Sequence, residues 1–315
     1  MARRRAVAIS APSKVSSKFL RRVVFGVVTL ALAILLALAG VAGFMTLRIV
    51  TQFNDTESVN PTTFIDPSFE ALTFSNPTSG EHEGWLLRGL KGAPAIILCP
   101  GYDSNRADLL SLGVVLQENH FNVYVFNFHG PKSRGTFSNL GVDQAQDVMS
   151  AIDMITKHAG INPHRVGLFG STTGGYAAMV AAQDTTAVKA LAVDSIYDKP
   201  VEMFDSQLDE LMGGPGGLFR TLADREFQLL NWRTKTPPLR ENLSKLAGIP
   251  KLFISDQTTP SLASLTNDLY NAAPEPKQMR VMENTRSGDS GATEKKEYEN
   301  QILSFFLQSL PLRAD

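Results

Sequence analysis

A chain of 315 residues with 43% apolar and 19% charged side chains has the balance of a globular protein, long enough for one large domain or two ordinary ones. A formal net charge of -1 gives no global electrostatic case for nucleic acid, which is not expected as a partner. Cys99 is the single cysteine, which excludes an internal disulfide; no metal-ligand cluster includes it, and neither a metal nor a cofactor is expected.

The first 22 residues hold seven cations (Arg3, Arg4, Arg5, Lys14, Lys18, Arg21 and Arg22) and no acid. An uncharged stretch from Val23 to Leu47 follows, and as a helix it would span roughly 37 Å, enough to cross a bilayer with some tilt. The basic tail, residues 1–22, is expected in the cytoplasm and the bulk of the chain outside it, because only Arg48 closely follows the apolar run. The chain then reads as a single-pass protein of the cell membrane, with residues 23–47 as a signal anchor. Ala37, Leu38 and Ala39 before Gly40 offer the competing reading of a cleaved signal and a secreted domain. The apolar run continues well past that site and exceeds the roughly 7–15 residues of a usual signal core, which favours the anchor.

Residues 48–67 are polar and aperiodic and read as a juxtamembrane linker. From there to the C-terminus, short runs rich in Val, Ile, Leu and Phe alternate with helical segments. Strands are expected at Phe69–Phe74, Glu83–Leu87, Ala95–Cys99, Val123–Phe128, Arg165–Phe169, Val188–Asp194, Lys251–Ser255 and Gln278–Met282. Such alternation implies an α/β domain over 68–315 with a mainly parallel sheet covered by helices on both faces. Within it, the helix Val142–His158 places Ala145, Val148, Ile152 and Ile155 on one stripe. A final helix, about Thr293–Leu310, repeats the pattern with Tyr298, Ile302, Phe305 and Phe306 and is expected to cover the last strand. An insertion at about 199–249, broken by Gly213, Gly214, Pro215, Gly216 and Gly217, reads as a small helical cap with amphipathic pieces at Val201–Leu211 and Leu218–Trp232.

Five segments carry a family resemblance: Ile97–Arg106 after the third strand, Val123–Gly135 after the fourth, Val166–Gly175, Leu252–Pro260 after the seventh, and Asn271–Lys277 before the last. In order and spacing the chain resembles the α/β-hydrolase superfamily, in its lipase, esterase and serine-peptidase-like branch with a short cap. The resemblance implies the α/β-hydrolase fold and hydrolysis of an ester or amide bond by a nucleophile, an acid and a histidine in that chain order.

Against that pattern the chain is degenerate. Val166–Gly175 has the strand, sharp turn and small-residue helix start of a nucleophile elbow, with Gly170 and Gly174 at its glycines, but Thr172 stands where the family has serine. A β-branched side chain is disfavoured on such a strained turn, and the added methyl crowds the attack position. Reading Ser171 as the nucleophile instead puts Phe169 and Thr173 where close packing needs small residues. Asp256 takes the acid position, although the family usually has a longer loop before it; Asp194, at the end of the sixth strand, is the alternative acid. Ser287 occupies the histidine position, and a hydroxyl cannot exchange a proton at neutral pH as imidazole does. None of the five histidines follows His164. His129, ending the fourth strand, is the alternative base, though the family commonly has a loop-supporting arginine there; His82, His120, His158 and His164 fall in turns or helix ends and read as solvated. The resemblance makes the backbone N–H groups of Tyr102 and Thr173 the oxyanion-hole donors.

Three readings follow. The chain is a lapsed, membrane-anchored hydrolase homologue, a pseudoenzyme that binds a small acyl or peptide ligand or an unidentified protein partner. Alternatively it is a weak ester or amide hydrolase using Thr172, or a structural and assembly domain.

Overall fold

The computed structural model describes residues 17–53, 69–130, 136–214, 216–236, 238–283 and 291–312. Its first element is a helix, α1 (Ser17–Thr51), the one described helix long and apolar enough to cross a membrane. It runs past the expected end of the apolar stretch at Leu47, so the first residues assigned to the linker are helical and packed. The remainder of that linker lies outside the described residues.

Eight strands follow: β1 (Phe69–Asn76), β2 (Gly80–Leu87), β3 (Ala95–Cys99), β4 (Asn122–Phe126), β5 (Val166–Ser171), β6 (Val188–Asp194), β7 (Lys251–Asp256) and β8 (Lys277–Met282). They form one sheet in the order β1-β2-β4-β3-β5-β6-β7-β8. β1 and β2 are antiparallel to their neighbours, and the pairs from β4 to β8 are parallel. All five residues of β3 and of β4 are buried, as a parallel strand covered on both faces requires. Alternate side chains of β3 enter opposite cores: Ala95, Ile97 and Cys99 join Val148, Ile152 and Ile155 of helix α3 (Val142–Lys157). Ile96 and Leu98 join Leu112 and Leu116 of helix α2 (Leu110–Glu118). Burial pushes the Cys99 thiol well above its ordinary range.

Helix α4 (Thr172–Gln183) follows β5, and a small cap follows β6: α5 (Pro200–Met212), α6 (Gly217–Leu230) and a 3-10 stretch, Leu239–Leu246. Helices α7 (Pro260–Ala272) and α8 (Ala292–Ser309) complete the chain. α8 reaches the last strand, where Arg280 Nε donates to Gln301 Oε1 at 2.9 Å, but also lies over the middle of the sheet: Phe306 fills the space above Gly167 of β5, where a Cβ would meet its ring at 2.8 Å. The absent side chain makes the seat.

The end of α1 belongs to the domain. Ala42, Ile49 and Val50 are buried in the same core as α3, and the helix packs on α5 and α6. Val50 O accepts the Ser138 N–H at 3.0 Å, and Ile49 O accepts the Tyr102 hydroxyl at 2.9 Å.

Arg220 of α6 ties the two cap helices by pairing with Asp205 and Asp209 of α5. Burial, then the neighbouring Asp224 carboxylate, pushes the Asp205 carboxyl up to about 6. A raised folded pKa means the folded cap binds the extra proton, so this contribution to stability is full below about 4 and lost as pH rises through about 6. Amide exchange of α5 and α6, corrected for intrinsic chemistry, is expected to be slower at acid than at neutral pH. Asp205→Asn should remove the difference; an unchanged pH dependence in that variant would refute the assignment.

Candidate active-site pocket

The turn from β5 into α4 places Thr172 at φ +43°, where a β-branched residue costs about 1–3 kcal/mol. Ser171 before it is extended, with φ -109° and ψ 147°. Close packing holds the strain: a Cβ on Gly174 would lie 2.2 Å from Pro100 O. Asp103 (φ 55°) and Ser195 (φ 51°) are also left-handed, so three of the five described non-glycine residues with positive φ surround one cavity. Strain concentrated in this way is the signature of a functional site.

That cavity has a volume of about 470 Å³ and lies at the C-terminal ends of the strands, between the sheet and the cap. Ser171, Thr172, Asp194 and Asp256 line it, with Met203, Gln207 and Glu210 of α5 forming one wall. Among the described residues, no histidine lines it. Its described walls carry six carboxylates, from Asp103, Asp108, Asp194, Glu210, Asp256 and Glu299, against the one ammonium of Lys295.

The Thr172 hydroxyl meets the backbone N–H of Tyr102, one of the two donors expected of an oxyanion hole. Tyr102 N–H donates to Thr172 Oγ1 at 2.7 Å, and this contact requires Gly101, since a Cβ there would come within 2.6 Å of the same oxygen. Thr173 is buried in the first turn of α4.

Both candidate acids are buried. Asp194 accepts from Ser195 Oγ on Oδ1 and from Tyr298 Oη on Oδ2, each at 2.8 Å. Asp256 Oδ1 accepts the Thr258 N–H and hydroxyl, also at 2.8 Å. Tyr298 was legible only as a member of the apolar stripe of α8; the phenol that reaches Asp194 had no local signal. Burial and then the Asp194 charge hold its hydroxyl well above the usual phenol range. A phenol so held donates to Asp194 and cannot serve as a base. Lys295 and Glu299 of α8, Ser195 and Gln52 are further lining residues that the sequence reading missed.

Ser287 lies outside the described residues. His129 lines a neighbouring cavity of about 30 Å³ with Gly101 and Thr173. Its Nδ1 donates to Ser79 O at 2.7 Å and its ring stacks 3.9 Å from that of His82. His82 itself is not solvated. It lies within β2, buried, with Nε2 2.7 Å from Ser79 Oγ and 3.2 Å from Asp147 Oδ1. His158 is half-buried, 3.4 Å from Glu70 Oε2, and so is not fully solvated either, whereas His120 and His164 are exposed.

No family model matches the chain. It is 27% identical over 259 residues to the uncharacterised protein YfhR of Escherichia coli strain K12, a match covering 78% of this chain and 83% of the relative. YfhR of Salmonella typhi is 26% identical over 231 residues, covering 66% and 71%. Among solved structures, the Pyrococcus furiosus esterase Pf2001 superposes with a TM-score of 0.63 at 13% identity, over 83% of this chain and 98% of that one. A dienelactone hydrolase from Anabaena variabilis gives 0.54 at 14%, over 77% and 99%. The chain has the α/β-hydrolase fold, with one long apolar helix at its N-terminal side.

Proposed function

We propose that this protein is a membrane-anchored homologue of the α/β-hydrolases whose catalysis has lapsed and whose pocket holds a small acyl or peptide ligand without turning it over. The observation that carries the reading is the Tyr102 N–H bond to Thr172 Oγ1, in which the hydroxyl oxygen occupies a donor that an oxyanion would need. Crowding by the threonine methyl, the lack of a histidine among the described pocket residues, and the commitment of Asp194 to Ser195 and Tyr298 support it. The acidic walls disfavour a free carboxylate as ligand and favour a neutral ester or amide, or a group bearing an amine. A cavity of about 470 Å³ weighs against a purely structural role, for which a filled site would be expected.

The anchor is α1. Seven cations before the apolar run and Arg48 close behind it favour a cytoplasmic N-terminus and an extracytoplasmic domain.

A fluorophosphonate probe incubated with the purified full-length chain is expected to leave it unmodified. Stoichiometric labelling at Thr172 or Ser171 would overturn the lapsed reading. The retained positive φ at Thr172 favours a second reading, a slow hydrolase using that hydroxyl; labelling at Thr172 would support it, whereas labelling at Ser171 would put the nucleophile one residue earlier.

A further inference from the structure

α6 lies alongside α1 and runs in the same direction. Glu226 sits against Gly43 and Thr46, with Thr46 Oγ1 3.5 Å from Glu226 Oε2. One turn further on, Asn231 Nδ2 reaches Ser138 O, whose own N–H is held by Val50 O. Following α6 back from Glu226 to Leu218 covers eight residues, about 12 Å, which descends α1 from Gly43 and Thr46 to the level of Leu35 and Leu38. Leu38 and Ala39 are the first α1 residues to lose exposure, in agreement with that register.

A hydrocarbon core of about 30 Å accommodates roughly 20 helical residues, so a bilayer entered just after Arg22 ends near Ala42. The cap tip, where α6 begins at Gly217, therefore lies several ångströms on the lipid side of that boundary. Its sequence suits the position. The nine residues Leu211 to Phe219 (LMGGPGGLF) contain no polar side chain. Leu211, Met212 and Leu218 are exposed, the last by 60%. The nearby Arg220 charge is paired with Asp205 and Asp209.

We infer that this cap tip docks into the leaflet that α1 enters, lying at interfacial depth beside the anchor. Interfacial segments sink about 5–10 Å, which is the depth the α1–α6 register gives, and the non-helical backbone at Gly213 and Gly214 stays where headgroups and water satisfy it. α5 connects the tip to the pocket: Met203, Gln207 and Glu210 line the cavity, and Leu211 and Met212 follow immediately. One wall of the pocket thus ends at the lipid surface. This rests on α1 being an anchor, but holds whichever side of the membrane the domain occupies.

The test uses tryptophan as a depth probe. Trp85 is buried and stays as an internal reference, while Trp232 is replaced by Phe. In that background Leu218→Trp and, as a control, Leu90→Trp are made; Leu90 is also exposed but lies beside the start of β4, at the end of the parallel strands opposite the cap. Each full-length chain is reconstituted into phosphatidylcholine vesicles brominated on the acyl chains near the headgroup. Emission from the Leu218→Trp chain is expected to fall by about twofold or more, and that from Leu90→Trp to stay unchanged. Retention in the membrane under alkaline carbonate with equal emission from both would overturn the docking and leave the anchor standing. Release of the chain by carbonate would overturn both.

Discussion

Thr172→Ser combined with Ser287→His is expected to create hydrolysis of an activated ester, such as a nitrophenyl acetate, on the order of 10²-fold above either single variant. Serine lacks the methyl that fixes χ1, so the hydroxyl can rotate away from the Tyr102 N–H and release that donor for a developing oxyanion. Without an imidazole the freed hydroxyl stays protonated, and without a free hydroxyl the imidazole has nothing to activate; triad members act as a unit. Asp256, at the acid position that the family resemblance gives and at the end of β7, is the acid expected to orient the new ring. Asp256→Ala added to the double variant should therefore abolish the gained rate. A folded double variant no faster than the parent would refute the claim that the hole and the acid remain usable.

The largest loss of stability is expected from Asp147→Ala. This carboxylate is fully buried on α3 and serves the β1–β2 hairpin: Asn76 Nδ2 donates to Oδ1 at 2.6 Å, Ser79 Oγ donates to the same oxygen, and His82 Nε2 lies 3.2 Å away. His82 in turn stacks on Phe74, with ring centroids 4.8 Å apart. Removing one partner from a buried charged network costs about 3–5 kcal/mol, a large part of an ordinary domain stability of about 5–15 kcal/mol. The melting temperature should fall by about 10 °C. Asp153→Ala on the same helix removes an exposed pair with Lys157 and should change it little. Equal melting temperatures for the two variants would show that the network contributes nothing.

Local pattern carried most of the scaffold. β3 and β6 were legible residue for residue because buried parallel strands are apolar runs bounded by turn residues, unbroken in β3 and interrupted in β6 only by the exposed Lys189, and both cap helices showed their amphipathic spacing. Thr172 could be placed because the elbow packs backbone on backbone and leaves a glycine signature. What escaped was long-range. His82 sits between two glutamates in β2 and reads as exposed, while its partner Asp147 lies 65 residues on and no local spacing links them. Tyr298 fits the stripe of α8 equally well whether its hydroxyl is wet or bonded to Asp194. A helix apolar on every face gives no sign of which face packs, so the contact of Ala42, Thr46, Ile49 and Val50 with the domain was hidden inside the very feature that marked the anchor.

That contact makes α1 more than a leash. Two hydrogen bonds join it to the elbow: Ile49 O holds the Tyr102 phenol, and the Tyr102 N–H holds Thr172 Oγ1. Cutting the chain after Thr51 to obtain a soluble fragment would strip an acceptor from Tyr102 and uncover the side of α6 that packs on α1 around Glu226. Such a fragment would have a different pocket from the protein it came from, and inactivity measured on it would describe the truncation.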